Sequence, residues 1–258
     1  HTILGKDTGA PPILLNRPLG GSMALWGAFA TRLARSFQVI AFDPLGVGRS
    51  SDVPMFHSTR RMAGDVLELM NALQVPRAHV FGLSLGALVA TWIGIDAPQR
   101  TASLILASMP EAIPVTPAHV ARQAAAMLRW LVKPGRSAEI ELVEEALSPQ
   151  LRQADPERVH EIESRIRAIP AKRMNLLKLA VASALYSGGG GLGRLHVPTL
   201  VLRGQWDPVA RAAAAADPAQ GIPGARVETI PGAGQDMTLE QPVETADRIV
   251  AFLRTLNK

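Results

Sequence analysis

The sequence contains no cysteine among its 258 residues. This absence excludes disulfide bonds, thiolate zinc sites, iron–sulfur clusters and a cysteine nucleophile. Aromatic residues make up only 4% and charged residues only 19% of the chain, whereas hydrophobic residues make up 47%. No apolar run approaches the roughly 18 residues that a membrane-spanning helix needs. The composition therefore predicts a globular protein with a sizeable core, and no membrane partner.

The charge is moderately basic, with a formal net value of +5 at pH 7. The densest basic clusters, at Arg129–Arg136 and Arg165–Arg173, are not interleaved with several aromatic residues, as a nucleic-acid platform would be. We interpret the excess as a solvated basic surface and expect no nucleic-acid partner. The first residues lack a basic start followed by an apolar block, so no signal peptide is predicted and a cytoplasmic protein is expected.

Short apolar runs alternate with longer amphipathic stretches, which is typical of a mostly parallel, doubly wound α/β sheet with helices on both faces. The predicted strands are Pro12–Leu15, Phe37–Phe42, His79–Leu83, Ser103–Ala107, Pro198–Arg203 and Arg226–Ile230. The predicted helices are Ala24–Arg35, Ser58–Leu73, Leu85–Asp96 and Pro242–Leu256. His1–Gly5 is expected to form an edge strand.

The alternation is interrupted between Met109 and Tyr186, where the pattern is helical and broken by prolines. We expect residues 109–193 to form a helical cap inserted between strands, and residues 1–108 and 194–258 to form the core. The glycine-rich run Ser187–Gly193 at the end of this block is predicted to be a hinge.

The strongest chemical signal is the sequence Gly82-Leu83-Ser84-Leu85-Gly86. It follows a predicted buried strand and precedes a predicted helix, which is the context of a nucleophile elbow. Such a turn needs small flanking residues and presents the serine hydroxyl beside a helix N-terminus. Ser84 is therefore the candidate nucleophile.

An elbow serine works with an acid and then a base, in that chain order. Asp207 follows the predicted strand Pro198–Arg203 and is the candidate acid. The base is expected after the last strand, at the position that Gln235 occupies. A glutamine amide can donate and accept hydrogen bonds, but it is not a useful base near neutral pH.

Other residues could in principle replace the missing base. His79 and His196 are expected at the opposite end of the sheet, and His57 belongs to a loop and helix start. Only His119 and His160, in the expected cap, could reach Ser84, and each is interpreted as a surface or packing residue. Asp236 would be a weak base and is expected to point away if Gln235 faces the serine.

Stabilisation of a developing oxyanion requires two donors, which backbone N–H groups commonly supply. One candidate is the N–H of Leu85, directly after the nucleophile. The other is expected in the loop after the first parallel strand, where Pro18 has no N–H and Leu19 is the better candidate.

Taken together, these motifs resemble the α/β-hydrolase superfamily over essentially the whole chain. The segments that carry the resemblance are Gly82–Gly86, Asp43–Ser50, Gly204–Asp207 and Gly232–Pro242. Asn16–Gly20, Met23–Trp26 and Gly82–Pro98 are similar to the 3-oxoadipate enol-lactonase branch. The resemblance implies an α/β-hydrolase fold and hydrolysis of an ester or lactone through a serine, an aspartate and a histidine, without a cofactor.

The chain departs from this pattern in three places. Arg17-Pro18 stands where the superfamily usually has His-Gly, Ala87 replaces a glycine, and Gln235 replaces the histidine. The last change leaves three alternatives: a variant made inactive, a natural pseudoenzyme, or a relative whose chemistry needs no histidine. We therefore expect either an impaired hydrolase of a small ester or lactone, or a non-hydrolytic protein that binds ligands or acts as a lyase or cyclase.

Overall fold

Seven strands form one sheet in the computed structural model, which describes residues 1–109, 146–169, 172–185, 188–208 and 218–256. The strands are β1 (Thr2–Leu4), β2 (Ile13–Asn16), β3 (Val39–Ala41), β4 (Ala78–Leu83), β5 (Thr101–Ala107), β6 (Thr199–Gly204) and β7 (Arg226–Ile230). The α-helices in these ranges are α1 (Gly27–Leu33), α2 (Thr59–Ala72), α3 (Leu85–Asp96), α4 (Pro149–Ala154), α5 (Pro156–Arg167), α6 (Arg173–Ala184), α7 (Met237–Glu240) and α8 (Pro242–Thr255).

The strand order across the sheet is β1-β3-β2-β4-β5-β6-β7, and only β1 runs antiparallel to its neighbour. The order reverses beside β2, which pairs with β3 on one side and with β4 on the other. A crevice at the carboxyl ends of the strands, beside such a reversal, is where open α/β sheets bind ligands. The topology therefore predicts that the loops that follow β2 and β4 border a ligand site.

Alternating strand residues supply a hydrophobic core on each face of the sheet. Leu14, Ile40 and Val80 point to the face covered by α2 and α3. On the other face, strand residues pack with Trp26, with Phe29 of α1 and with α8. Helix α3 is buried almost all round, because it lies between the sheet and neighbouring helices.

The predicted mostly parallel α/β sheet is confirmed, and the predicted bounds of helix Leu85–Asp96 and strand Arg226–Ile230 are those observed. Thr2–Leu4 forms the expected edge strand. The predicted helix Ala24–Arg35 is instead divided into a 3₁₀ turn, Met23–Leu25, and α1. Gly27, whose φ is +42°, begins α1 in a conformation that does not continue the 3₁₀ turn.

Helices α4, α5 and α6 lie between β5 and β6 in the chain, where the helical cap is expected. Ile162 and Ile166 of α5 pack against Leu239 of α7. Residues 110–145 of the expected cap lie outside the described residues, and the expected division into core and cap stays a prediction. The glycine run, for which a hinge was predicted, contributes a 3₁₀ helix at Gly188–Arg194.

Among the helices in the described ranges, none has the length and apolar character needed to cross a membrane.

Candidate active site

Ser84 lies in a tight turn between β4 and α3, with φ +54° and ψ −114°. A residue with a side chain rarely adopts this conformation, which costs on the order of 1–3 kcal/mol. A Cβ atom added to Gly82 would collide with the backbone of Gly86, and one added to Gly86 would collide with the backbone of Asn16 and Arg17. The flanking glycines are therefore required by backbone-to-backbone packing.

The turn places Ser84 at the N-terminus of α3, where helix N–H groups and the helix dipole favour negative charge. The Ser84 side chain does not cap this helix. Its backbone is fixed instead, since its N–H donates to Ala107 O at 2.9 Å and its carbonyl accepts from Ala87 N at 2.8 Å. The hydroxyl is thus held on a rigid backbone and is available to partners outside α3.

The partner of this hydroxyl is Gln235, which is 151 residues away in sequence. Gln235 Nε2 donates a hydrogen bond to Ser84 Oγ at 3.1 Å. Two further bonds fix the Gln235 backbone: its N–H donates to Ala146 O at 2.7 Å, and its carbonyl accepts from Ser108 Oγ at 2.8 Å. The side chain that faces the serine is therefore the one that occupies the expected position of the base.

Asp207 follows β6 and is fully buried. Its segment contacts the one that carries Gln235, because Trp206 N donates to Ala233 O at 2.8 Å. A Cβ atom on Gly204 would collide with the Gly234 backbone, so these two segments pack as closely as glycine permits. The structure thus brings the loop of the candidate acid against the loop of the candidate base position.

The loop after β2, residues 17–21, flanks the elbow on its other side. Gly21 N donates to Pro18 O at 2.9 Å and closes a tight turn around Leu19. The carbonyls of Asn16 and Arg17 lie against Gly86, next to Leu85 in the first turn of α3. Leu19 and Leu85, the candidate oxyanion donors, therefore belong to two segments in direct contact.

Among the described residues, no histidine forms a hydrogen bond with Ser84 Oγ. His79 lies near the amino end of β4, and its Nδ1 atom is 2.9 Å from Ser103 Oγ. His57 Nε2 is 2.6 Å from Asp65 Oδ2. His160 and His196 are exposed, on α5 and before β6 respectively. His119 lies outside the described residues.

Asp236 points away from the serine, as expected. Its Oδ2 atom is 2.9 Å from Arg17 Nη2, and its Oδ1 atom accepts from Thr238 Oγ1 at 2.6 Å. The sequence alone indicates no role for Arg17 beyond a departure from a family motif. Nothing in a single sequence pairs two residues that are 219 positions apart, so this contact was missed.

A second missed residue is Glu240, which supports the Gln235 segment from α7. Its carboxylate accepts from Gly234 N at 2.9 Å and from Ser148 N at 3.0 Å. Burial raises the pKa of Glu240 above its usual value, and the bonds from Ser148 and Gly234 oppose that rise. Glu240 thus ties the segment before Gln235 to the start of α4.

A cavity of about 220 Å³ lies beside the loop after β2 and the first turn of α3. Most of its walls are apolar side chains from α2, α3 and the loop after β3, including Phe42, Met62, Val66, Leu85 and Val89. Such a lining suits the hydrocarbon part of a small molecule.

The chain is similar to hydrolases in both sequence and structure. The family model of the alpha/beta hydrolase fold matches residues 11–242. The "Putative carbamate hydrolase RutD" of Pseudomonas syringae pv. syringae is 28% identical over 251 residues, which cover 95% of each chain.

Two solved structures share the fold over nearly their whole length. A thermophilic esterase from Thermogutta terrifontis, solved with malate bound, has a TM-score of 0.86 and 27% identity, covering 100% of this chain and 93% of its own. The enol-lactonase from Burkholderia xenovorans LB400 has a TM-score of 0.84 and 24% identity, covering 98% of this chain and 95% of its own. At that identity the second likeness concerns the fold alone. Given the sheet, the serine elbow and the family match over residues 11–242, the chain belongs to the α/β-hydrolase family and is a hydrolase of that fold.

Proposed function

We propose that this chain is a serine hydrolase of carboxylic esters or lactones in which the proton acceptor of the nucleophile is replaced by Gln235. Ser84 is the nucleophile, Asp207 is the orienting acid, and the backbone N–H groups of Leu19 and Leu85 are the oxyanion donors. Residues 1–108 and 194–258 form the core, and residues 109–193 form a cap over the substrate.

One side-chain contact carries this proposal. The amide of Gln235 hydrogen-bonds Ser84 Oγ, at the position where a general base must accept the proton that the serine loses. An amide nitrogen has no lone pair that is basic near pH 7. The serine is therefore held in place by a group that cannot remove its proton.

The remaining parts support acyl transfer. Ser84 Oγ attacks the substrate carbonyl and its proton passes to water, while the carbonyl oxygen gains negative charge and is stabilised by the N–H groups of Leu85, at the N-terminus of α3, and Leu19, in the loop after β2. The bond between the carbonyl carbon and the leaving oxygen then breaks, and the leaving group departs as an alcohol with a proton from water. A second water attacks the acyl-enzyme, which releases the carboxylic acid and restores the Ser84 hydroxyl. Loss of one triad member leaves a residual acceleration of about 10³–10⁴ over water, from the oxyanion site and substrate binding. Turnover by this chain is therefore expected to be slow.

The names of the similar proteins support a substrate of this class. The relative named as a carbamate hydrolase and the esterase are both named for substrates whose carbonyl carbon bears a heteroatom. The cavity beside Leu85, whose walls are mostly apolar, supports a hydrocarbon substituent on that carbonyl.

The same hydrogen bond supports a second candidate function. A pocket that binds and polarises a carbonyl compound without removing a proton from serine can serve as a ligand-binding site, or as the site of a lyase or cyclase. In that case Gln235 positions the ligand, and its presence is not the loss of a catalytic base. The two candidates differ in the effect of restoring an imidazole at position 235.

The rates of hydrolysis of p-nitrophenyl acetate and of a small lactone test the proposal. Gln235→His is expected to raise kcat by about 10²–10⁴ with little change in KM, because it supplies a proton acceptor. The gain is expected to vanish in Gln235→His/Ser84→Ala, since the imidazole then has no nucleophile to activate. An unchanged rate in Gln235→His, with the circular dichroism spectrum of the parent chain, would contradict the proposal and favour the non-hydrolytic candidate.

A further inference from the structure

We infer that Arg17 is a positioning residue, which with Asp236 forms a buried clamp between the oxyanion loop and the segment that carries residue 235. This inference rests on the proposed function, because the clamp matters only if those two segments meet a reacting substrate. The clamp consists of Arg17, Asp236, Thr238 and Trp26.

The guanidinium of Arg17 uses its two terminal nitrogens on the same segment. Nη2 donates to Asp236 Oδ2 at 2.9 Å, and Nη1 donates to Thr238 Oγ1 at 3.3 Å. The Arg17 and Asp236 side chains are only 2% and 9% exposed. A charged pair this deeply buried is retained only with close geometry and additional hydrogen bonds. Thr238 Oγ1 supplies one to each partner, whereas Arg17 Nε has no hydrogen-bond partner among the described residues.

The flat face of the guanidinium has a further partner. Arg17 Cζ lies 4.4 Å from the centroid of the Trp26 ring, within the range of a cation–π contact. Trp26 in turn packs against Phe29 and Phe81, with ring centroids 5.5 Å and 5.7 Å away. The Arg17 side chain is therefore clamped between a rigid aromatic cluster and the Asp236 carboxylate.

Both ends of the clamp adjoin the reacting groups. The Arg17 carbonyl lies against Gly86, in the first turn of the helix that Ser84 begins. Asp236 directly follows Gln235, and its Oδ1 atom also accepts from Leu239 N at 3.3 Å at the start of α7. Movement of either loop would therefore change the separation of Ser84, its side-chain partner and the oxyanion donors. A misplacement of about 1 Å can cost about 10² in rate.

The chemistry of arginine explains why this residue suits the clamp. A planar fork can bond two acceptors while it stacks on a ring, whereas a lysine ammonium is a compact point charge. Burial lowers the pKa of Arg17, and the Asp236 carboxylate opposes that change. The pair is thus an arrangement of balanced charge close to position 235.

The opposite charges of Arg17 and Asp236 allow a test that distinguishes this inference from a merely structural role. In the Gln235→His background, removal of one partner leaves the other charge unbalanced beside the imidazole. Arg17→Met leaves the carboxylate and is expected to raise the imidazole pKa by about one unit, and Asp236→Asn leaves the guanidinium and is expected to lower it by a similar amount. The double replacement is expected to return the pKa close to its starting value. The other charged groups on neighbouring elements, Asp207, Glu240 and Arg165, are unchanged throughout.

The experiment measures the imidazole pKa by NMR titration, and kcat and KM for p-nitrophenyl acetate. Arg17→Met and Arg17→Lys are expected to lower kcat about tenfold or more with little change in KM, because they disturb alignment rather than binding. Arg17→Lys is expected to leave the pKa nearly unchanged, since it keeps the charge. Arg32→Met serves as the control, because it removes an arginine from a half-buried pair with Asp247 between α1 and α8, and it should alter neither readout.

The outcomes separate this inference from the proposed function. The clamp is supported if the imidazole pKa shifts in opposite directions in Arg17→Met and Asp236→Asn and if kcat falls in the Arg17 variants. Shifts that are absent, or that have the same sign in both single variants, overturn it. If Gln235→His itself gains no activity, the proposed function fails, but the NMR titration still decides whether the Arg17–Asp236 charges act at position 235.

Discussion

His79 shows how burial of one side chain makes the whole fold sensitive to acid. Its ring packs edge-on against Phe37, with centroids 6.0 Å apart, and its Nδ1 atom bonds Ser103. Burial, assisted by the positive charge of Arg77, lowers the pKa of His79 from 6.5 to about 4. Unfolding restores the higher pKa, so the unfolded chain binds more protons than the folded chain between these two values.

The free energy of unfolding is therefore expected to fall as the pH decreases from 6.5 towards 4, by at most about 3 kcal/mol from this residue. Urea unfolding at a series of pH values measures the slope. His79→Gln removes the titrating group, so its stability curve is expected to be flatter over the same interval. Equal slopes in the two proteins would contradict the assignment, whatever the difference in their absolute stabilities.

The residues of the site differ in how far the sequence could predict them. Ser84 could be found because an elbow is a local pattern, a serine between two glycines at the junction of a strand and a helix. Gln235 could be found from its place after the last strand, and the structure brings it to the serine hydroxyl. The pairing of Arg17 with Asp236 could not, because it depends on how two distant loops pack.

At the scale of elements, α2 ends in a Schellman motif in which Gln74 occupies the left-handed position. Val75 N donates to Met70 O at 2.9 Å, and Gln74 N donates to Asn71 O at 3.0 Å, which are the two bonds of this motif. Gln74 has φ +55° and is exposed. This is the position that glycine fills most often, because glycine has no Cβ atom to clash.

Gln74→Gly is expected to stabilise the protein by about 1 kcal/mol, because it relieves the left-handed backbone conformation. Gln74→Ala is the control: it removes the same side chain but keeps the Cβ atom, and its stability is expected to be close to that of the parent. Urea denaturation midpoints measure both. A loss of stability in Gln74→Gly would show that the glutamine side chain contributes more than the strain costs.

The elements that the sequence predicted well are those with a simple hydrophobic pattern. Strands β2, β4, β5 and β6 are short buried runs, and their bounds differ from the predicted ones by no more than two residues. The helix predicted at Ala24–Arg35 lies at the predicted place in the chain, but it is not continuous as predicted. Its break depends on the positive φ of Gly27, a conformation that glycine permits but does not require.

At the scale of the whole molecule, the site is a product of topology. The segments that carry Leu19, Ser84, Asp207 and Gln235 follow β2, β4, β6 and β7, and parallel strands bring their carboxyl ends to one edge of the sheet. The sequence could therefore predict that these residues meet. It could not predict how residues 146–169 and 172–184 contact that edge, since the hydrogen bonds that Gln235 N donates to Ala146 O and that Ser148 N donates to Glu240 have no local signature.

The rate at which an organophosphonate modifies Ser84 tests most directly whether position 235 is the place of the missing proton acceptor. An alkyl fluorophosphonate reports on activation of the serine without needing the natural substrate, and mass spectrometry of peptides identifies the modified residue. Gln235→His is expected to react at least about 10² times faster than the parent chain, with one phosphonyl group on Ser84. That group should be absent in Gln235→His/Ser84→Ala. Equal rates in Gln235→His and the parent, or modification of another residue, would contradict the assignment of Ser84 and position 235 as nucleophile and base position.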